Sequence, residues 1–316
     1  MRVFVSGGSG FVGVAVVERL VRGGHDVVGA TNSPEGAAVL EALGAHALVL
    51  DVDEPPPAWL AALTRAAPDV VVHLAISHAA PARNAARMRR MVVEGTRRVV
   101  DACEAVRERW GFPRRFVHGG SAVVGEANGA LLTEATPLVA TTPRGHALND
   151  AEAIALSAAS RGQEVIALRP SRVYGAGGWF ARLVAAVQQG RFVMPGLGDN
   201  LWDLVHVDDV ADAFARAVEL DAPRSRGRVF HVVDDTPLTL ATFVEAIARG
   251  LGAVPPHRRA LWLARLLAGR AATDEVVRSA RSANARVRAE LAWAPAWPDS
   301  RRALPSLLAT LALSPP

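Results

Sequence analysis

From its first residue to about Pro170, this chain alternates short apolar runs with longer stretches of helical periodicity. Unbroken apolar strands joined through helices describe a parallel sheet covered on both faces. The pattern predicts strands over residues 3–6, 26–30, 47–50, 70–75, 115–118 and 165–169. Helices are predicted over 10–23, 35–43, 59–66, 85–110 and 144–161. Asp26 and the Pro68-Asp69 pair punctuate the series at turns. The expected fold class is therefore α/β, a Rossmann-like doubly wound parallel sheet. Beyond Pro170 the regularity fades. Residues 175–178 and 195–200 read as loops, and apolar helices follow at 210–219, 240–251 and 261–267. That half predicts a small C-terminal substrate-binding lobe over the strand ends, where such sheets hold ligands. The expected division is 1–172 plus about 203–233 for the nucleotide-binding domain, and about 173–202 plus 234–316 for the lobe.

The 316 residues are 50% hydrophobic, enough for a large core. All 35 cationic side chains are arginine, since the chain has no lysine, and the net charge is only +4. No basic stripe with interleaved aromatics is present, so nucleic acid is not an expected partner. The arginine-rich stretch 278–288 has the spacing of a solvated helix face. Cys103, the single cysteine, falls in an apolar helical pattern with Val99, Val100 and Val106 and reads as a small buried hydrophobe. One cysteine forms no internal disulfide or Cys-rich metal site and fits a reducing cytoplasm. The first residues enter a strand directly, unlike a signal peptide, and no apolar run approaches the ~18 residues of a membrane span. The expectation is a cytoplasmic monomer or homodimer that acts on a small molecule, with no metal and no membrane.

The first strand runs into Ser6-Gly7-Gly8-Ser9-Gly10-Phe11-Val12-Gly13. Gly7 permits a sharp turn, Gly10 a close backbone approach to a pyrophosphate, and Gly13 tight packing of helix on sheet. The helix N-terminus supplies free N–H groups for the anion. A plain tight turn is the bland alternative, but the position between strand and helix favours a dinucleotide. The second strand ends at Asn32-Ser33 without the carboxylate that would bind a ribose 2′-hydroxyl. NADP(H) is favoured on that ground, with NAD(H) possible.

The Gly-x-x-Gly-x-x-Gly spacing resembles the short-chain dehydrogenase/reductase superfamily, in its extended epimerase/dehydratase branch. Further motifs carry the resemblance nearly end to end. They are Asp51-Val52, Val72-His73-Leu74-Ala75, Leu168-Arg169-Pro170-Ser171-Arg172-Val173-Tyr174-Gly175, Val205-His206-Val207-Asp208-Asp209-Val210-Ala211, Ser282-Ala283-Asn284-Ala285-Arg286 and Leu291-x-Trp293-x-Pro295. The resemblance implies a nicotinamide cofactor held by Gly7, Ser9, Gly10, Phe11, Val12, Gly13, Asp51, Val52, Leu74, Ala75 and Pro170, together with Asn32 and Ser33.

The active-site positions depart from that family. Its Ser or Thr after the fifth strand corresponds to Ser121, or to Gly120 with a one-residue shift. Its Tyr-Gly-x-Ser-Lys run corresponds to Arg144-Gly145-His146-Ala147-Leu148, so Arg144 replaces the tyrosine and Leu148 the lysine. Arginine donates no proton at neutral pH but stabilises a developing alkoxide. Ser121, Arg144 and His146 are the catalytic candidates. Ser77, His78, Trp179, Phe180, Met194 and Trp202 are the substrate-binding candidates, the last four in loops expected around a flat apolar ligand, with a core role as the alternative. His118, within a strand, reads as a buried structural histidine, and Tyr174 as part of its strand. Superfamily members without the Tyr–Lys dyad are known as ketoreductases of aromatic polyketides, and this chain resembles them. The resemblance implies an NADPH-dependent ketoreductase of antibiotic-type natural products. A sugar-nucleotide epimerase or dehydratase and a non-catalytic NAD(P)-binding regulator are the alternatives.

Overall fold

The computed structural model describes residues 1–75, 85–121, 130–140, 142–221 and 226–313. In chain order the N-terminal half runs β1 (Arg2–Ser6), α1 (Phe11–Arg22), β2 (Asp26–Thr31), α2 (Pro34–Ala42), β3 (His46–Val49), α3 (Pro56–Ala66), β4 (Val70–His73), α4 (Ala85–Arg89), α5 (Gly95–Trp110), β5 (Arg115–Gly119), α6 (Pro143–Ser157) and β6 (Glu164–Pro170). These are the elements the apolar rhythm predicts. The helix expected over 85–110 carries one wide π-turn at Arg90–Glu94.

The remainder runs β7 (Arg172–Tyr174), α7 (Gly178–Gln188), β8 (Met194–Pro195), β9 (Leu201–Trp202), β10 (Leu204–His206), α8 (Val207–Glu219), β11 (Arg228–Val232), β12 (Leu238–Thr239), α9 (Leu240–Gly250), β13 (Arg258–Arg259), α10 (Leu261–Ala268), α11 (Arg270–Val277), α12 (Ala285–Leu291) and α13 (Ser300–Leu313). Three expectations need correction. Trp179 and Phe180 lie in α7, Met194 in β8 and Trp202 in β9, rather than in loops. The glycines at 177 and 178 suggested a loop because they do bend the chain, but they bend it over the Phe11 ring, where a Cβ would sit 3.0 Å from aromatic carbons. The helix begins there. Finally, residues 278–284 are not helical, and Arg278 is buried rather than solvated.

Seven parallel strands form one sheet in the order β11-β6-β5-β4-β1-β2-β3. The register pairs Ser6 with His73, His73 with His118 and Gly119 with Leu168, so the carboxyl ends of β1, β4, β5 and β6 share one edge. Strand order reverses between β1 and β4, and this is where an open α/β sheet leaves a ligand crevice. Val3, Val5, Val72, Val117 and Ile166 are fully buried beneath α1 and α8. A second apolar core of Tyr174, Phe180, Trp202, Phe243 and Ile247 fills the C-terminal half.

Candidate functional site

The glycine loop has the geometry of an anion cradle. Gly7 adopts φ +74°, and a Cβ there would lie 2.8 Å from the Ala75 nitrogen. A Cβ at Gly13 would come within 2.1 Å of the Gly7 carbonyl oxygen, so only glycine lets α1 start this close to the loop. At Gly10 a Cβ would meet nothing nearer than that same oxygen at 3.3 Å, which leaves its outer side open. Gly10 precedes α1 as N-cap without a side-chain hydrogen bond, so the first-turn N–H groups are free for an anion. These residues fit a dinucleotide pyrophosphate.

The other cofactor candidates surround this cradle. Ser9 and Thr31 hydroxyls hydrogen-bond at 2.6 Å. Ser33 caps α2, its Oγ accepting the Gly36 N–H at 3.1 Å, while Asn32 is exposed beside it. The Asp51 carboxylate accepts the Asp53 N–H at 2.8 Å, and Val52 is buried. The Leu74 N–H donates to Ser6 O at 3.0 Å, continuing β4 to the sheet edge beside Ala75.

The crevice opens into a cleft lined by Val12, Leu74, Gly119, Gly120, Ser121, Arg144, Leu148, Pro170, Ser171, Val173 and Phe214. It brings Ser121 and Arg144 together with the helix and strand ends that would carry a cofactor. Gly120 and Ser121, the two readings of the serine position, both line the cleft. A Cβ at Gly120 would press to 2.7 Å from the Glu152 carboxylate, itself paired with Arg169. Arg144 is placed by the start of α6, where Thr142 Oγ1 accepts the Gly145 N–H at 3.1 Å and Pro143 sets the first turn. Leu148 follows one turn later. Burial pulls the Arg144 guanidinium below its ordinary pKa, Glu275 opposing and Arg278 adding to the shift. The Nη1 of Arg144 lies 3.9 Å from Glu275, and its Nε is buried without a hydrogen bond.

Around Glu275 the structure gathers residues that the sequence did not mark as a site. Arg172 donates to the Glu275 carbonyl at 2.8 Å and stacks on Trp202 with its guanidinium carbon 4.4 Å from the ring centroid. Arg278 donates to the Glu275 carboxylate at 3.0 Å and to Thr142 Oγ1 at 3.3 Å. Arg172 stood inside the strand motif quoted above, but nothing in the spacing of Glu275 or Arg278 distinguished them.

The remaining candidates separate. His146 is exposed and does not line this cleft. Phe180, Met194 and Trp202 are buried in the C-terminal core, and the Trp179 indole N–H is bonded to Val173 O. Ser77 and His78 lie outside the described residues. His118 is fully buried, and burial pushes it down to about 4. His73 is locked. The Thr96 hydroxyl donates to Val92 O and so accepts from Nε2–H, and Nδ1 accepts from Ser6 Oγ at 2.6 Å. Tyr174 is fully buried against Phe180, His206 and Phe243, and burial raises its pKa far above the ordinary phenol value. Among the described residues no three His, Cys, Asp or Glu side chains converge as a metal site, and no helix is long and apolar enough to cross a membrane.

Comparison with known proteins adds an outside view of the same chain. The NAD dependent epimerase/dehydratase family matches residues 3–232. A 3-diazoavenalumate denitrifying reductase from a Streptomyces species is 31% identical, over 96% of this chain and 99% of the relative. A 4-hydroxy-2-methyl-3-oxo-4-farnesyl-3,4-dihydroquinoline-1-oxide ketoreductase from Stigmatella aurantiaca is 28% identical over 80% of this chain and 74% of its own length. Among solved structures, the UDP-glucose 4-epimerase of Thermotoga maritima superposes with a TM-score of 0.82 over 99% of both chains at 21% identity, a likeness of fold.

Proposed function

As a member of the NAD dependent epimerase/dehydratase family, and an NAD(P)-dependent oxidoreductase, this protein is, we propose, an NADPH-dependent ketoreductase for a bulky, apolar natural-product ketone. The observation that carries the reading is that Arg144 and Ser121 line one cleft whose other described walls, Ser171 apart, carry no polar side chain. Nicotinamide, when bound, supplies the hydride, and the chain must orient the ketone, exclude water and answer the charge that develops on oxygen. Ser121 offers a hydroxyl and Arg144 a fixed positive charge for that oxygen. Val12, Leu74, Leu148, Pro170, Val173 and Phe214 supply apolar walls. An epimerase-type first step needs a base to take a proton from an alcohol, and a guanidinium does not accept one.

Exposed Asn32, with Ser33 committed to its helix cap, is the group we assign to an NADP 2′-phosphate. Asn32→Asp should then lower the preference for NADPH over NADH in paired fluorescence titrations. An unmoved ratio sinks the NADP assignment alone. For the reaction, NADPH oxidation with a panel of aromatic ketones should fall about 10²-fold in kcat for Arg144→Leu, with the NADPH dissociation constant unchanged. Equal turnover by that variant would overturn the role given to Arg144.

The identity to the 3-diazoavenalumate denitrifying reductase, which spans nearly both chains, favours a second reading in which the acceptor is a diazo group. Such an acceptor also needs no tyrosine. Release of dinitrogen from an aryl diazo compound in the presence of NADPH would select it over the ketone.

A further inference from the structure

Among the described residues, the five most exposed large apolar side chains all lie in one part of the C-terminal half. Leu197, Val254, Trp262, Leu266 and Leu267 are between 66% and 76% exposed, while no other exceeds 54%. The β8–β13 pairing draws this part together. Met194 pairs with Arg258 and Pro195 with Arg259, and the Gly196 N–H donates to Arg259 O at 2.8 Å, so Leu197 lies beside the residues that lead into α10. Within α10, Trp262 and Leu266 share a face at the i, i+4 spacing, and Leu263 and Leu267 form the adjoining row. Of the eight residues in this helix only Ala264 is buried. A solvated helix ordinarily turns polar side chains outward, whereas α10 presents tryptophan and leucine.

The charge around that face is mainly of one sign. Residues 245–274 carry five arginines against two carboxylates, Glu245 and Asp274, which stand at the two ends of the span. Arg258 pairs with Glu245, and Arg265 and Arg270 share Asp274. Arg259 and Arg270 are exposed on either side of α10. On the β8 side Arg191 and Asp199 balance in charge. We propose that α10 and the β8–β13 ribbon dock on an anionic lipid surface. Trp262, Leu266 and Leu267 would enter the boundary between headgroups and acyl chains, and Arg259 and Arg270 would meet the headgroup phosphates. Side chains this exposed project outward, a shape that suits insertion into a fluid phase. A helix of eight residues is about 12 Å long, so it lies on a bilayer and does not span one. A second copy is the poorer occupant, because a two-fold contact would set the same arginines against each other. Contact with a membrane surface departs from what the sequence alone implied.

The test is co-sedimentation of the intact protein with phosphatidylcholine vesicles, either pure or containing about one-third phosphatidylglycerol. None of its readouts depends on the reaction assigned to the cleft. The protein should bind the mixed vesicles about tenfold more tightly than the pure ones. Arg259→Gln combined with Arg270→Gln should remove most of that preference. Trp262→Ser combined with Leu266→Ser should weaken binding to the mixed vesicles at least about tenfold at an unchanged melting temperature, since both side chains already face water. Tryptophan emission should shift to the blue on the mixed vesicles, and that shift should vanish in Trp262→Phe while binding persists. No binding to the mixed vesicles overturns the proposal, as does equal binding to both kinds. Binding that survives Trp262→Ser with Leu266→Ser also overturns it. If the protein is dimeric in solution and that pair of changes makes it monomeric, the face is a subunit contact and the proposal fails. Binding of poly-glutamate but not of the mixed vesicles would make it a site for an acidic protein and overturn the lipid.

Discussion

Tyr174 lies in the C-terminal core, edge-on to Phe180, His206 and Phe243, with no water-facing surface. A phenol held there is a packing element. Tyr174→Phe should retain near-complete turnover, and a stopped NADPH-oxidation assay with cofactor binding intact would show instead that the only phenol is the acid. At this scale, what a residue's own backbone decides was legible in the sequence. Gly7 and Gly13 are required by a positive φ and by a carbonyl 2.1 Å from a would-be Cβ, and both follow from loop spacing alone. Ser121 is legible only to within one residue, since Gly120 and Ser121 both line the cleft and a register shift of one exchanges them. Arg278 was misread because arginines at that spacing are ordinarily solvated. Its burial depends on Thr142, 136 positions away, and on Glu275, and no local pattern carries that information.

Between α1 and the loop before it, distance leaves no slack. Gly13→Ala should abolish tight NADPH binding in fluorescence titration and lower the melting temperature together, because the added methyl strikes the Gly7 carbonyl. Gly10→Val should instead block the cofactor with a smaller effect on stability, its Cβ having nothing closer than 3.3 Å. The late motif ending α8's first turn has a structural part. The Asp209 carboxylate accepts the N–H groups of Ala296 at 2.7 Å and Trp297 at 3.1 Å, while the Trp293 indole donates to Asp209 O at 2.9 Å. Asp209→Ala strands two N–H groups and should cost roughly 2–4 kcal/mol, visible as a lower midpoint in denaturant titration. Strands and helices up to β6 were legible because their apolar periods are long and regular. β11 was not, since Arg228 and His231 interrupt so short a run and its place beside β6 is set by pairing of distant residues. α7 was hidden by the glycines that turn the chain over Phe11.

Three buried carboxylates shape the stability of the whole molecule. Burial pushes Asp234 up to about 8, Asp203 up to about 7 and Asp209 up to about 6. In the unfolded chain these groups lose their protons near pH 4. The three carboxylates hold protons in the folded protein that the unfolded chain has lost. Burial keeps His73, His118 and His231 well below the ordinary imidazole value, so below about pH 6.5 the unfolded chain holds protons that the folded one lacks. Above it these histidines are neutral in both states and, through the carboxylates, stability falls as pH rises. The melting temperature should decline from about pH 7 to pH 8, and Asp234→Asn should flatten the decline. A stability that climbs steadily over that range would contradict the placement of these groups. The cleft behaves in the opposite way. Its described walls are aliphatic, aromatic, hydroxyl and guanidinium groups, none with an ordinary pKa between about 5 and 10. The described walls store no proton of their own, so on the ketone reading they leave the hydrogen that completes the alcohol to come from solvent or from the substrate itself. Acidity becomes a trait of the guest: two ketones of unequal basicity should trace different pH–rate curves on one unchanged protein.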